Sequence, residues 1–173
     1  MKKTLFLFLA ALVSLSAFSQ DTLKVMTYNI RNGNGMDKVR SYERIADVIL
    51  KHDPDVVAVQ ELDSMTKRSN QTYVLGEVAK LTRMKDFYGP AINYSGGKYG
   101  VGILSKKQPL KVSQQPLPGR GERRTFLMAE FEDYIFCCTH LALTEEDRML
   151  SLAIIDSIAA CQTKPFIIAG DMN

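Results

Sequence analysis

Apolar and polar residues alternate along this chain with two periods, and the switches between them lay out its elements. The stretch "LKVMTYN" alternates with a period of two and is rich in strand formers, whereas "SYERIADVILK" places Tyr42, Ile45, Val48 and Ile49 on one helical face. His52 stands where a helix C-terminus favours a cation, Pro54 stops the helix, and "DVVAVQE" is the short apolar run of a buried strand. The first third reads β, α, β.

Further on, "TYVLGEVAKLTRM" predicts a second helix, and the glycines of "NYSGGKYG" mark a turn into the strand "VGILS". "TFLMAEF" and "YIFCCTH" read as two antiparallel strands joined across Glu132 and Asp133. A third helix is expected from Glu145 to Ala160, with Thr144 as N-cap and acids in its first turn, and "PFIIAGD" is the last strand. Consecutive strands without intervening helices do not fit a uniformly parallel doubly wound sheet. An α+β fold of mixed sheets with helices outside is the expectation.

Composition changes this picture only at the N-terminus. With 46% hydrophobic and 24% charged residues, the 173-residue chain lies in the globular range and suits one domain with its own core. Lys2 and Lys3 precede an apolar stretch from Leu5 to Phe18, and Ala17 and Ser19 have the small-residue spacing of a signal-peptidase site. That stretch is shorter than the roughly 20 residues of a spanning helix, and Ser14 and Ser16 interrupt it. The pattern predicts a signal peptide over residues 1 to 19 and cleavage near Ser19. The mature chain, residues 20 to 173, is then secreted or periplasmic, without a transmembrane anchor.

Loss of Lys2 and Lys3 takes the net charge from +3 to near neutral, so charge alone points to no nucleic-acid partner. Locally, Lys98, Lys106, Lys107, Lys111, Arg120, Arg123 and Arg124 face a single acid, Glu122, and read first as solvated loop surface. Three cysteines make no disulfide framework. Neighbouring Cys137 and Cys138 point to opposite faces of a strand and cannot jointly grip zinc.

Candidate chemistry gathers at strand ends. "VMTYN" finishes in Asn29, "VVAVQE" in Glu61, "FCCTH" in His140, and "IIAGDMN" in Asp171 and Asn173. One polar strand terminus means only that the chain has reached water. Several with the same placement point to convergence at one sheet edge. Two carboxylates, two amides and one imidazole form a hard-oxygen set that suits magnesium, which keeps several waters and takes phosphate oxygens from a substrate. A metal, amide donors and an imidazole stabilise the charge that grows on a phosphoester during displacement. Asp171 is the nearby acid left to activate water.

Together "MTYNIR", "VVAVQELD", "YGVGILSK", "THLALTEEDR" and "IIAGDMN" resemble, in order, the endonuclease/exonuclease/phosphatase superfamily over almost all of residues 23 to 173. The resemblance implies a four-layer α/β/β/α sandwich of two mixed sheets with the site at one edge. It implies that Asn29 and Glu61 serve the metal, Mg2+ with Mn2+ as the alternative. His140 is similar to the histidine that contacts the scissile phosphate, and Asp171 and Asn173 to the pair that orients the nucleophile and binds the phosphoryl oxygen. Arg124 matches the family's phosphate-binding arginine, with Arg123 competing for the place. Family members continue beyond "GDxN" to a late aspartate and histidine pair, and His52 and His140 are the two histidines present. The chain therefore reads as the N-terminal portion of a longer protein, incomplete at its C-terminus, unstable and inactive by itself.

Rival readings fare worse. "YNIRNGNGMDK" offers Gly33 and Gly35 between strand and helix, but Lys38 occupies the third glycine position of a dinucleotide-binding turn. No G-x-S-x-G elbow exists for a serine hydrolase. A noncatalytic phosphate- or phospholipid-binding domain of the same fold is the alternative to a phosphoester hydrolase. No stable protein partner is predicted, and the substrate stays open among nucleic acids, phospholipids and inositol phosphates.

Overall fold

A computed structural model describes residues 22–173, and the predicted signal peptide falls outside the described residues. In chain order the elements are β1 (Val25–Asn29), α1 (Tyr42–His52), β2 (Val56–Ser64), α2 (Val74–Thr82), β3 (Lys85–Tyr94), β4 (Gly97–Ser105), β5 (Lys111–Leu117), β6 (Arg124–Glu130), β7 (Ile135–His140), α3 (Glu145–Ala159) and β8 (Phe166–Asp171). Single 3-10 turns lie at Arg31–Gly33 and Lys67–Ser69. Ser41 caps α1 by accepting the N–H of Arg44 at 3.2 Å, and Asp53 ends it in the left-handed conformation ahead of Pro54. At α3 the Thr144 hydroxyl donates to the Asp147 carboxylate at 2.8 Å instead of accepting a backbone N–H, so the cap is indirect.

The strands form two four-stranded sheets, ordered β1-β2-β4-β3 and β5-β6-β7-β8. β1 with β2 and β7 with β8 are parallel and the other neighbours antiparallel, so both sheets are mixed. Alternation along β2 sorts its side chains. Val56 and Ala58 join Val101, Ile103, Leu127, Ala129, Phe136 and Cys138 between the sheets. Val57 and Val59 meet Ile45, Ile49, Val74, Leu75 and Val78 of the helices. On the far side Phe126, Ile135 and Cys137 pack against Ile155 of α3. The result is the expected α/β/β/α sandwich, with Cys137 and Cys138 on opposite faces. Each such buried side chain contributes about 1.5–3 kcal/mol against the entropy of ordering it.

One polar link crosses the inner layer. Gln60, almost without exposed surface, accepts the Thr27 hydroxyl at 3.3 Å and donates to the Cys138 sulfur at 3.4 Å. It satisfies itself inside the sandwich and ties β1, β2 and β7 together directly beneath their C-terminal ends.

The structure adds what the pattern did not predict. β3 contains Gly89 and Pro90, and β5 contains Pro116 and few apolar residues; both are edge strands, where proline removes no ladder bond and a one-sided face suffices. β2 runs on past Glu61 to Ser64. Val48, expected on the buried face of α1, is 38% exposed, because it sits at the margin of the helix–sheet contact. The basic segment is neutralised only in part: Lys106 pairs with Asp53 at 2.7 Å and Asp55 at 3.3 Å, Arg120 with Glu146 and Asp147, and Arg124 with Glu122. Among the described residues no helix is long and apolar enough to cross a membrane.

Candidate functional site

Topology brings the polar strand ends together. Parallel pairing sets Asn29 beside Gln60 and His140 beside Asp171, so β1, β2, β7 and β8 finish at matching ends of their sheets. Antiparallel β4 and β6 begin at that end, which places Tyr99 opposite Asp63 and Arg124 near the end of β7. β1 and β8 face each other across the sandwich, and the cleft opens between them.

Glu61 reaches the cleft through a break in its strand. Val57 and Val59 face the helices, and the next residue on that face is Leu62 rather than Glu61, because the β2–β4 register shifts between Val59 and Leu62. Within this bulge Glu61 takes a left-handed φ of 59°, a conformation that costs a non-glycine residue about 1–3 kcal/mol. The strain frees the carboxylate from the helix-side core. Gly170 solves a different problem, since a Cβ there would stand 2.2 Å from the Thr139 carbonyl oxygen. Only glycine lets β8 lie this close to β7 and bring Asp171 level with His140.

Asn29 joins the two sheets at the cleft floor. Its Nδ2 donates to Glu61 Oε1 at 2.9 Å and to Asp171 Oδ2 at 2.9 Å, while its Oδ1 accepts the Arg31 N–H at 3.1 Å. The Arg31 bond fixes which way the amide faces, so a single –NH2 holds two carboxylates together. Asn173 donates its backbone N–H to Asp171 Oδ1 at 3.1 Å and its side-chain amide to the Leu141 carbonyl at 2.7 Å.

Charge around this floor is divided. The Asn29 hydrogen bond foremost, with the Asn173 N–H, His140 and Arg124, holds the Asp171 carboxyl below the usual carboxylate range despite its partial burial. It is ionised at neutral pH. His140 is 9% exposed with Nε2 3.9 Å from Asp171 Oδ2, and burial together with the Arg124 charge lowers its pKa against the opposing pull of Asp171, Glu61 and Glu122. The imidazole is therefore neutral. Arg124 is 8% exposed and ion-paired to Glu122 through Nη1, while its buried Nε has no partner among the described residues. An unpaired buried donor costs about 1–3 kcal/mol, so the described residues leave this guanidinium incompletely satisfied.

The candidate site residues Asn29, Glu61, Arg124, His140, Asp171 and Asn173 all lie at this end of the sandwich, and Arg123 is exposed while Arg124 is buried. Sequence reading gave no site role to Glu122, the Arg31 N–H or Leu141, whose parts are played through an adjacent ion pair or through the backbone. Among the described residues no three His, Cys, Asp or Glu side chains stand close enough to cage a metal by themselves.

Residues 26–173, which include every candidate site residue, match the model of the Endonuclease/Exonuclease/phosphatase family. The chain belongs to this family. Among solved structures it is similar to the endonuclease/exonuclease/phosphatase from Beutenbergia cavernae DSM 12333, with 24% identity and a TM-score of 0.73 over 87% of this chain and 47% of that one. The Bacteroides thetaiotaomicron VPI-5482 mannosyl-6-phosphatase Bt3783 follows with 18% identity and a TM-score of 0.65 over 88% of this chain and 66% of that one. ANGEL2, a 2′,3′-cyclic phosphatase, shares 16% identity and a TM-score of 0.63 over 87% of this chain and 52% of its own. At these identities the likeness is one of endonuclease/exonuclease/phosphatase fold, and the chain spans about half to two thirds of the length of these structures. No curated protein matches the sequence.

Proposed function

We propose that this chain carries the metal and phosphate side of a secreted, magnesium-dependent phosphoester hydrolase. The observation that supports it most is the Asn29 amide spanning Glu61 and Asp171, with a buried imidazole and a partly unpaired arginine beside them. The donor set fits a hydrated hard cation: one or two carboxylates, no thiolate, and room for waters and substrate oxygens. Glu61 would hold the ion, with Asn29 aligning the carboxylate. When bound, magnesium would draw charge from the phosphoryl oxygens.

The remaining roles belong to the chain's own side chains. Ionised Asp171 orients a water molecule and takes its proton as the water oxygen attacks phosphorus, while the ester bond opposite breaks and the departing oxygen leaves as an alcohol after taking a proton from solvent. Neutral His140 donates one N–H to a phosphoryl oxygen, and Arg124 and Asn173 steady the others. Two of the fold's neighbours are named as phosphatases, which agrees with this chemistry. The N-terminal pattern of Lys2, Lys3 and Leu5 to Phe18 supports export.

The test is a screen of the complete protein against DNA, RNA, sphingomyelin and phosphoinositides, with and without magnesium. Hydrolysis that needs magnesium and disappears in Glu61→Ala and Asp171→Ala, with circular dichroism unchanged, is the expected result. Turnover that survives both substitutions would remove the proposal, and so would a lack of hydrolysis on all four substrates.

A further inference from the structure

Beside the cleft, where β2 and β3 end and β4 begins, stands a cluster that the chemistry above does not use. The Arg68 guanidinium lies 4.4 Å from the Tyr94 ring centroid and 5.4 Å from that of Tyr99, and the two rings are 6.2 Å apart. Beneath them Asp63, with no exposed surface, grips Arg68 through Nε at 2.7 Å and Nη2 at 2.8 Å. Nη2 also donates to Asn32 at 2.7 Å and Nη1 to the Tyr94 hydroxyl at 3.4 Å. Every nitrogen of this guanidinium is engaged.

That accounting decides what the cluster can bind. Its charge is matched by a buried carboxylate and four of its five N–H donors are engaged, so it has little left for a phosphate or a hydroxyl-rich sugar. What it offers is π surface held rigid: Tyr94 is 40% exposed, and its ring is fixed in place by Arg68. Tyr99 connects this surface to the cleft. It pairs with Asp63 across the strands, and its phenol, raised chiefly by burial, also lies in the fields of Glu61, Glu122 and Arg124.

We propose that Tyr94, Arg68 and Tyr99 form a stacking subsite that receives a nucleobase attached to the phosphoester held in the cleft. The inference rests on the phosphoester reading of that cleft and narrows its substrate to nucleotides or single-stranded ends. Base–aromatic stacking tolerates any base and contributes through ring faces alone, which is the chemistry left free here.

Calorimetry on the full chain, with magnesium present, compares adenosine 5′-monophosphate with ribose 5-phosphate. The nucleotide is expected to bind about tenfold or more tightly. Tyr94→Ala should bring the ratio of the two affinities close to one, and Tyr94→Phe should keep it. Equal affinities in the wild type, or a ratio untouched by Tyr94→Ala, would overturn the inference while leaving phosphoester hydrolysis intact. Because binding is read directly, a base-dependent affinity in a protein that hydrolyses nothing would separate the two ideas in the other direction.

Discussion

Glu61 on the first sheet and His140 on the second reach one cleft by different physics. Glu61 leaves its strand through a bulge with a φ of 59°, its carboxylate steadied by one amide hydrogen bond. His140 ends a strand whose register with β8 is unbroken, and it owes its neutral state to burial. The first wall stores backbone strain to present a charge. The second removes water to keep a ring uncharged. Asn29 couples them, since the same –NH2 touches Glu61 and, 142 positions along the chain, Asp171.

If the walls differ in this way, they should fail differently. Glu61→Gln keeps shape and hydrogen bonding but loses the charge that would hold the ion, so kcat/KM is expected to fall by about 1,000-fold or more with a higher magnesium requirement. His140→Ala removes one donor to a phosphoryl oxygen and should cost roughly 100-fold with an unchanged magnesium half-saturation. Magnesium titrations of activity in the two variants read the contrast directly. Should His140→Ala shift the metal requirement as far as Glu61→Gln does, the division of labour between the walls is wrong.

A smaller effect isolates the second wall. In the folded chain His140 titrates below its ordinary value, whereas the unfolded chain takes up that proton near 6.5. Between the two pKa values the unfolded state holds more protons, so stability is present above the unfolded value and declines as pH falls through the window. The depressed Asp171 carboxyl adds a loss of the same sign only at lower pH, below its ordinary 3.8. In metal-free protein, the urea midpoint of wild type relative to His140→Gln should therefore drop between about pH 7.5 and about pH 5. A constant difference across that range would mean that the imidazole is not buried as described.

How much of this was legible beforehand depended on whether a residue announces itself by period. "VVAVQE" and "FCCTH" are apolar runs that stop at a polar residue, so the strand ends were visible, and with them Glu61 and His140. β3 and β5 were not, because an edge strand with proline reads like a loop. The pairing of Asp63 with Arg68 also carried no signal: five positions apart, it suits neither a strand nor a helix face and depends on the 3-10 turn at Lys67–Ser69, which folds back against the β3–β4 turn at Ser95. The Asn29 bridge between sheets follows from two parallel pairings that no local pattern encodes.

The bulge at Glu61 was likewise invisible, and it supports the smallest and cleanest prediction. Glu61→Gly and Glu61→Ala both delete the carboxylate and its bond to Asn29, so their difference contains the backbone alone. In a regular strand glycine is the worse residue by about 0.5–1 kcal/mol, since it has more freedom to lose. At a left-handed φ of 59° the order inverts, because alanine retains the Cβ that the conformation disfavours. Glu61→Gly should thus unfold at higher urea than Glu61→Ala, by about 1 kcal/mol. Were alanine the more stable of the pair, β2 would run straight through position 61. The carboxylate would then point back toward Val57 and Val59 of the helix-side core, and the first wall of the cleft would not exist in the form described.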